Sequence, residues 1–510
     1  MQFTIESATR AYAHGNFTNQ ELEALKKELS YTNTAAAHDV KRHYSNQWLR
    51  RKDPDGWDRK LEELQSKVKN TLVFEEEHGI YVRPSSLKYL HMPVEIVKNK
   101  IIYKEPKAVA WQHTLPFMLY PYQVLSVQNL LKEKHANVEL CTGAGKSAII
   151  LKLCRDTGFQ TAIVAPSKSI FNELLEKFEY YLGRGNVGAF GDGKKKIGKL
   201  FTVCIADSLV NVKRDTPEWE FFSNLDMLIV DESHTWGADT LEDICNGIFS
   251  KVPYRFFMSG TQSRGDGTLK LLQSIIGPTV FTLSTKDAVS GGFICPHEYR
   301  IVKLESSNPN YNSNEPLEMK RIHFLNNRNI AAFIAKLANA EGANGRQTLV
   351  LVEELSQISL LKKLLKVPYA YAHSEKTPKR LLELGLEKVD TKEVVEKFNQ
   401  NQVKVLIGTS CIATGTNIYP THSTVNWVGG ASEIKTKQGA VGRSVRLHDQ
   451  NPHKEKCVKK TKAYIYDFDV YDIETMRRHL EDRLSCYHES GSEIKRINLS
   501  EQKIQAGGVR

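Results

Sequence analysis

The seven residues CTGAGKS at 141–147 constrain the fold of this 510-residue chain more than any other feature. They follow a short apolar run and precede a stretch with helical periodicity, so the backbone must pass from strand to helix across Thr142, Gly143, Ala144 and Gly145. Residues with little or no side chain let backbone N–H groups close on phosphate oxygens at a helix N-terminus, where the helix dipole favours negative charge. Lys146 is then placed to reach the outer phosphates of a nucleotide, and the Ser147 hydroxyl to ligate Mg²⁺. A glycine-rich turn followed by Lys and Ser also serves as an ordinary strand-to-helix connection, so the run needs support from elsewhere in the chain.

Support comes from two distant segments. The run LDMLIV at 225–230 reads as a buried strand that delivers Asp231 and Glu232 to its carboxyl end, followed by Ser233 and His234. Asp231 suits a Mg²⁺ role, and Glu232 suits polarising an attacking water. Taken alone, two acids and a histidine after a strand also describe a solvated helix start, where the dipole favours acids. Further on, GRSVR at 442–446 places Arg443 and Arg446 three apart on a helix start, suited to charge developing on a γ-phosphate. An isolated pair of this kind is usually a solvated surface feature. The combination and order of the three segments favour phosphate chemistry.

That ordered set resembles a superfamily 2 helicase of the DExH kind, with matches from Leu119 to Arg446. Tyr122 and Gln123 resemble the adenine-reading Q motif, CTGAGKS motif I, AIVAPSKS at 162–169 motif Ia, and DESH at 231–234 motif II. Ser259, Gly260 and Thr261 resemble motif III, LVLVEEL at 349–355 motif IV, TGTN at 414–417 motif V, and GRSVR motif VI. The resemblance implies an α/β fold of two tandem RecA-like domains with parallel sheets, ATP and Mg²⁺ bound between them, and a nucleic-acid strand crossing both. It implies that Gln123 reads adenine, that Thr142 to Ser147 hold phosphates, and that Ser147 and Asp231 hold Mg²⁺ beside the catalytic Lys146 and Glu232. It further implies that Gly415, Arg443 and Arg446 complete the site, that Pro166, Ser167, Thr414 and Thr416 lie near the strand, and that His234, Ser259, Gly260 and Thr261 couple strand to hydrolysis.

This chain departs from the family pattern at a few positions. Leu140 stands where the strict phosphate-loop spacing asks for glycine, Cys141 where proline is common, and Asn417 where aspartate is frequent. Gln438 lies one residue further from Gly442 than usual, with Gly439 in the expected place, so Gln438 is left outside the site.

Four sections are expected: an N-terminal accessory domain over 1–110, a first lobe over 111–295, a second over 296–470, and a C-terminal helix and tail over 471–510. Strands are expected at 162–165, 201–205, 225–230 and 255–258 in the first lobe, and at 349–352, 404–407, 424–428 and 463–466 in the second. The N-terminal section clusters Lys41, Arg42, His43, Tyr44, Trp48, Arg50, Arg51, Lys52, Trp57, Arg59 and Lys60. These residues either grip phosphates and stack on bases, or form a small domain with Trp48 and Trp57 in its core and solvated arginines. Pro54 and Gly56 are expected to make a turn there, and GDGKKKIGK at 191–199 to form a basic loop. Ile473, Met476, Leu480 and Leu484 share one helical face, and the end of the chain is expected to fray.

The stretch NQWLRRKDPDGWD at 46–58, with the TGAGKS form of motif I, is most similar to phage branch-migrating DNA helicases of the UvsW kind. That similarity implies an ATP-dependent motor acting on branched or single-stranded DNA in recombination, replication or repair. An RNA helicase, a restriction-type translocase and a basic binding protein with a degenerate ATPase remain the competing readings. A net charge of +11 suits a polyanionic partner. The eight cysteines are scattered without zinc spacing, no HExxH occurs, and no apolar run approaches a membrane span. Neither zinc nor membrane is therefore expected, and a cytoplasmic setting is.

Overall fold

The computed structural model describes residues 1–15, 17–77, 79–115, 118–233, 236, 238–260, 267–375, 377–413, 418–430 and 442–498. By contacts the chain divides into two units, Met1–Leu140 with Lys146–Thr282, and Cys141–Gly145 with Leu283–Arg510. Both are α/β, and each is built on a largely parallel sheet, as two tandem RecA-like domains require.

In the first unit, an eight-stranded sheet runs in the order Lys194–Lys196, Val187–Gly191, Phe201–Ile205, Thr161–Ala165, Met227–Val230, Tyr254–Ser259, His135–Leu140, Thr279–Leu283. Its central segments are continuous apolar runs because helices cover both faces of a parallel sheet. FTVCI, TAIVA and MLIV are accordingly buried along their whole length. Every pairing from Val187–Gly191 across to His135–Leu140 is parallel. The loops after Leu140, Ala165, Val230 and Ser259 therefore leave from one edge, the carboxyl edge where such sheets bind ligands. The basic stretch at 191–199 is a hairpin, with the exposed strand Lys194–Lys196 antiparallel to Val187–Gly191. Lysines there blunt the sheet edge against pairing with another chain.

A five-stranded sheet forms the N-terminal part of this unit, in the order Val73–Glu76, Gly79–Val82, Arg10–His14, Gln2–Ser7, Glu95–Asn99. It shares one apolar core with the parallel sheet's helices, a cluster that includes Phe3, Ile5, Val82 and Leu87 along with Leu241, Leu271 and Ile275. Arg83 fastens the two together. Its buried guanidinium donates to Ser274 Oγ at 2.7 Å and pairs with Glu242. Buried Arg255 donates to Cys245 O at 2.7 Å and to Ala8 O at 3.4 Å.

Between the short strands Ser30–Thr32 and Lys69–Thr71, helices Thr34–Ser45, Gln47–Lys52 and Pro54–Ser66 stand outside that sheet. Pro54 and Gly56 do not make a turn. Asp53 caps the third helix by accepting from Gly56 N at 3.0 Å, and Pro54 takes the first helical position, where its missing N–H costs nothing. The two tryptophans separate: Trp57 is 3% exposed and stacked by the His43 ring, whereas Trp48 is 67% exposed.

The second unit's seven-stranded sheet has the order Tyr369–Ala372, Val405–Gly408, Gln347–Val352, Thr421–Trp427, Ala463–Val470, His297–Leu304, Glu493–Asn498. All its pairings are parallel. The C-terminal section brings a correction, because the helix Glu474–Glu489 is followed by an edge strand, Glu493–Asn498, and not directly by a tail. EIKRIN carries only two apolar residues, so its composition hides an edge strand that lies largely in solvent. Residues 499–510 lie outside the described residues. The helix buries Met476 and Leu480, Ile473 is buried just before it, and its Arg483 makes a two-pronged pair with buried Asp467 at 2.7 and 3.0 Å. Among the described residues no helix is long and apolar enough to cross a membrane.

Candidate functional site

The loop after the strand His135–Leu140 takes the backbone that its sequence demands. Gly143 and Gly145 have φ of +91° and +77°, in the left-handed region where a Cβ is penalised. A turn bond from Ala144 N to Cys141 O tightens the loop, and the helix Lys146–Thr157 starts directly behind it. Thr142, Gly143 and Ser147 are half-buried and Gly145 is exposed.

In the first unit, three ionisable side chains meet at the carboxyl edge. Lys146 Nζ lies 3.0 Å from Glu232 Oε1, with both side chains largely out of water. Asp231 is buried, and its Oδ1 accepts from Glu232 N at 3.0 Å. Burial first, and then the neighbouring Glu232 charge, push the Asp231 carboxyl up to about 7, against the opposing pull of Lys146. Glu232 has φ of +49°, a strained conformation for a non-glycine residue and of the kind found where side-chain aim matters.

Residues on the neighbouring strands support this edge. Ser233 is buried and its hydroxyl donates to Met258 O at 3.4 Å, tying the loop after Met227–Val230 to Tyr254–Ser259, whose last residue, Ser259, is also buried. Gly260 follows Ser259 directly. Ser167, beside Pro166, caps the helix Lys168–Leu182 by accepting from Ile170 N at 3.4 Å. Gln123 is buried in the helix Pro121–Glu133, and its side-chain oxygen accepts from Tyr120 N at 2.9 Å. His234, Thr261, Thr414, Gly415, Thr416, Asn417, Gln438 and Gly439 lie outside the described residues, as does the side chain of Arg443.

In the second unit, GRSVR begins the short helix Gly442–Ser444. Ser444 Oγ donates to Thr424 Oγ1 at 2.6 Å, Val445 O accepts from Cys295 N at 2.7 Å, and the Arg446 guanidinium stands 5.1 Å from the Tyr419 ring. Lys460, missed by the sequence reading, reaches under this segment and donates to Tyr419 O at 2.9 Å and Ser444 O at 3.1 Å. It is buried, although in the sequence it sits in the run KCVKKTK, where a charge run reads as solvated.

The oxygen donors Asp231 and Ser147 suit a hard cation such as Mg²⁺, which takes one or two protein oxygens and completes its shell with water and substrate phosphate. A cation there would also offset the burial and the Glu232 charge that raise the Asp231 carboxyl. Among the described residues no group of three or more His, Cys, Asp or Glu could hold a metal.

Two family models match this chain: the type III restriction enzyme res subunit over 116–264 and the helicase conserved C-terminal domain over 329–448. The DNA 3'-5' translocase XPB2 of Sulfurisphaera tokodaii is 25% identical over 397 residues, covering 71% of this chain and 85% of that protein. The DNA-bound type ISP restriction-modification enzyme LlaBIII matches in structure with a TM-score of 0.54 at 11% identity, over 85% of this chain and 33% of that one. The crystal structure of bacteriophage T4 UvsW aligns over 98% of this chain and 99% of that one, at 15% identity and a TM-score of 0.42.

Proposed function

Because the chain belongs to the superfamily 2 helicases, whose domains imply ATP-driven unwinding of nucleic acid, we propose that this protein is a DNA motor that unwinds and remodels branched DNA. The observation that carries the catalytic half of this reading is the buried cluster of Lys146, Asp231 and Glu232. Without nucleotide, Lys146 spends its charge on Glu232. With nucleotide, Lys146 turns to the β- and γ-phosphates, and Glu232 is released to orient the attacking water and take up its proton. Thr142, Gly143, Ala144 and Gly145 cradle phosphate oxygens through backbone N–H groups. Ser147 and Asp231 would hold Mg²⁺, which would supply charge neutralisation at the phosphates. Gln123 reads adenine, while Gly415, Arg443 and Arg446 belong to the same nucleotide site, the arginines meeting charge in the transition state. Pro166, Ser167, Thr414 and Thr416 track the strand, and His234, Ser259, Gly260 and Thr261 relay its presence to hydrolysis.

One observation supports DNA, and two others fit a nucleic-acid strand of either kind. The curated relative from Sulfurisphaera tokodaii is named a DNA translocase. The net charge of +11 suits a phosphate backbone. Within 46–58, the stretch resembling the UvsW kind, Trp48 stands exposed with Lys52 Nζ 4.9 Å from its ring, and Arg50 lies over Trp57 at 4.8 Å. An exposed ring with a cation beside it offers a platform for an unpaired base and its phosphate. Strand separation should be measured with ATP on a forked DNA, a four-way DNA junction, a blunt duplex and the matching RNA fork. Faster separation of the fork and junction than of the blunt duplex supports the proposal. Separation of the RNA fork alone would overturn the DNA assignment.

A further inference from the structure

Lys460 belongs to no recognised motif, yet it is 4% exposed, and among the described residues its ammonium meets backbone carbonyls and no carboxylate within ion-pair distance. Burying an ammonium costs free energy that only well-made bonds recover, so such a residue persists where its bonds matter. Both acceptors lie at Arg446: Ser444 O is two residues before it, and Tyr419 O is on the residue whose ring the guanidinium stacks over. Ser444 and Val445 are fixed further by Thr424 and Cys295, so the backbone leading into Arg446 is held on successive residues.

We propose that Lys460 is a positioning residue for Arg446, clamping motif VI to the segment after motif V so that the arginine keeps a single aim during hydrolysis. The inference rests on the proposed role of Arg446 in ATP turnover. It assigns Lys460 no contact with nucleotide. Each ammonium bond to a carbonyl is charge-assisted and about twice as strong as its neutral counterpart, so the clamp is strongest when Lys460 is protonated. Burial pulls Lys460 down to about 8, helped by Arg446 and opposed by Cys295, and His422 also faces it. Between about 8 and the ordinary 10.5 the unfolded chain carries a proton that the folded chain has released. Folding stability contributed by this group therefore rises with pH in that window, while the clamp weakens.

These opposite signs separate positioning from support. Lys460→Met removes a buried charge and keeps the stem, so its melting temperature should equal or exceed that of the wild type. Its kcat for nucleic-acid-stimulated ATP hydrolysis should fall about tenfold with KM for ATP unchanged, as expected when a catalytic group is misaimed but substrate still binds. Lys460→Arg should recover most of that loss and remove any decline of kcat above about pH 8, because guanidinium stays charged. Wild-type kcat in Lys460→Met, or a loss of kcat that only parallels a fall in melting temperature, would overturn the proposal. Arg446→Ala run in parallel keeps the two readings apart. If it too turns over normally, the assigned role of motif VI fails; if it is inactive while Lys460→Met is normal, only the clamp fails.

Discussion

The two units arrange charge in opposite ways. At the carboxyl edge of the first sheet, buried Asp231 and its half-buried neighbour Glu232 lie beside Lys146, so two carboxylates crowd one another there. Under motif VI in the second unit, the buried cation Lys460 bonds to carbonyls, with the Arg446 charge close by. Under the proposed function the first arrangement is the one that receives the metal nucleotide. The second is complete without a ligand and fixes backbone. The proposed motor would use both: a cluster that meets the nucleotide, and a fixed backbone that carries Arg446.

The contrast can be broken most forcefully at Lys146 and Glu232. Lys146→Ala and Glu232→Gln should each lower ATP turnover by roughly 10³- to 10⁴-fold. Glu232→Gln should retain ATP binding better, as a fluorescent nucleotide titration would reveal. Normal turnover in either variant would remove the ionic cluster from the chemistry. Arg446→Ala should cost about 10³-fold in kcat and little in nucleotide affinity, because an arginine of this kind acts on the transition state. An equal loss of affinity would make it a ground-state ligand.

Asp231→Asn sharpens the comparison by removing one of the two carboxylates beside Lys146. Because the folded-state carboxyl is raised from 3.8 to about 7, the folded protein holds a proton that the unfolded chain has lost over that window. The nucleotide-free protein should therefore lose stability as pH rises through it. Asp231→Asn should melt several degrees above wild type at pH 8, with the gain shrinking towards pH 4. A gain independent of pH would mean that the buried charge is not its source. The smallest effect belongs to the exposed ring: Trp48→Ala should weaken binding of a forked DNA about tenfold, with Trp48→Phe intermediate, in a fluorescence anisotropy titration at fixed salt. Unchanged affinity would return Trp48 to the ordinary surface.

Most of this contrast's first half was legible in the sequence. Runs such as FTVCI and MLIV read as buried parallel strands, and glycines 143 and 145 announced the loop whose left-handed backbone only they accept easily. The second half was not legible. Lys460 looks like one lysine in a basic run, and only the fold turns it inward to Ser444 and Tyr419. Pro54 and Gly56 read as a turn because both residues punctuate chains, but the cap from Asp53 drew them into a helix start. The edge strand Glu493–Asn498 was hidden by its charges, which edge positions tolerate. Trp48 and Trp57 illustrate a limit of composition: nine residues apart in one basic segment, one is surface and the other core.

The measurement that bears most directly on a DNA motor built on this ionic cluster is steady-state ATP hydrolysis by wild type and Lys146→Ala. It should be made without nucleic acid and then with single-stranded DNA, duplex DNA, a four-way DNA junction and RNA. Strong stimulation of the wild type by DNA, greatest with the junction and absent in Lys146→Ala, is the expected result. Hydrolysis indifferent to every nucleic acid, or equal in the two proteins, would contradict it.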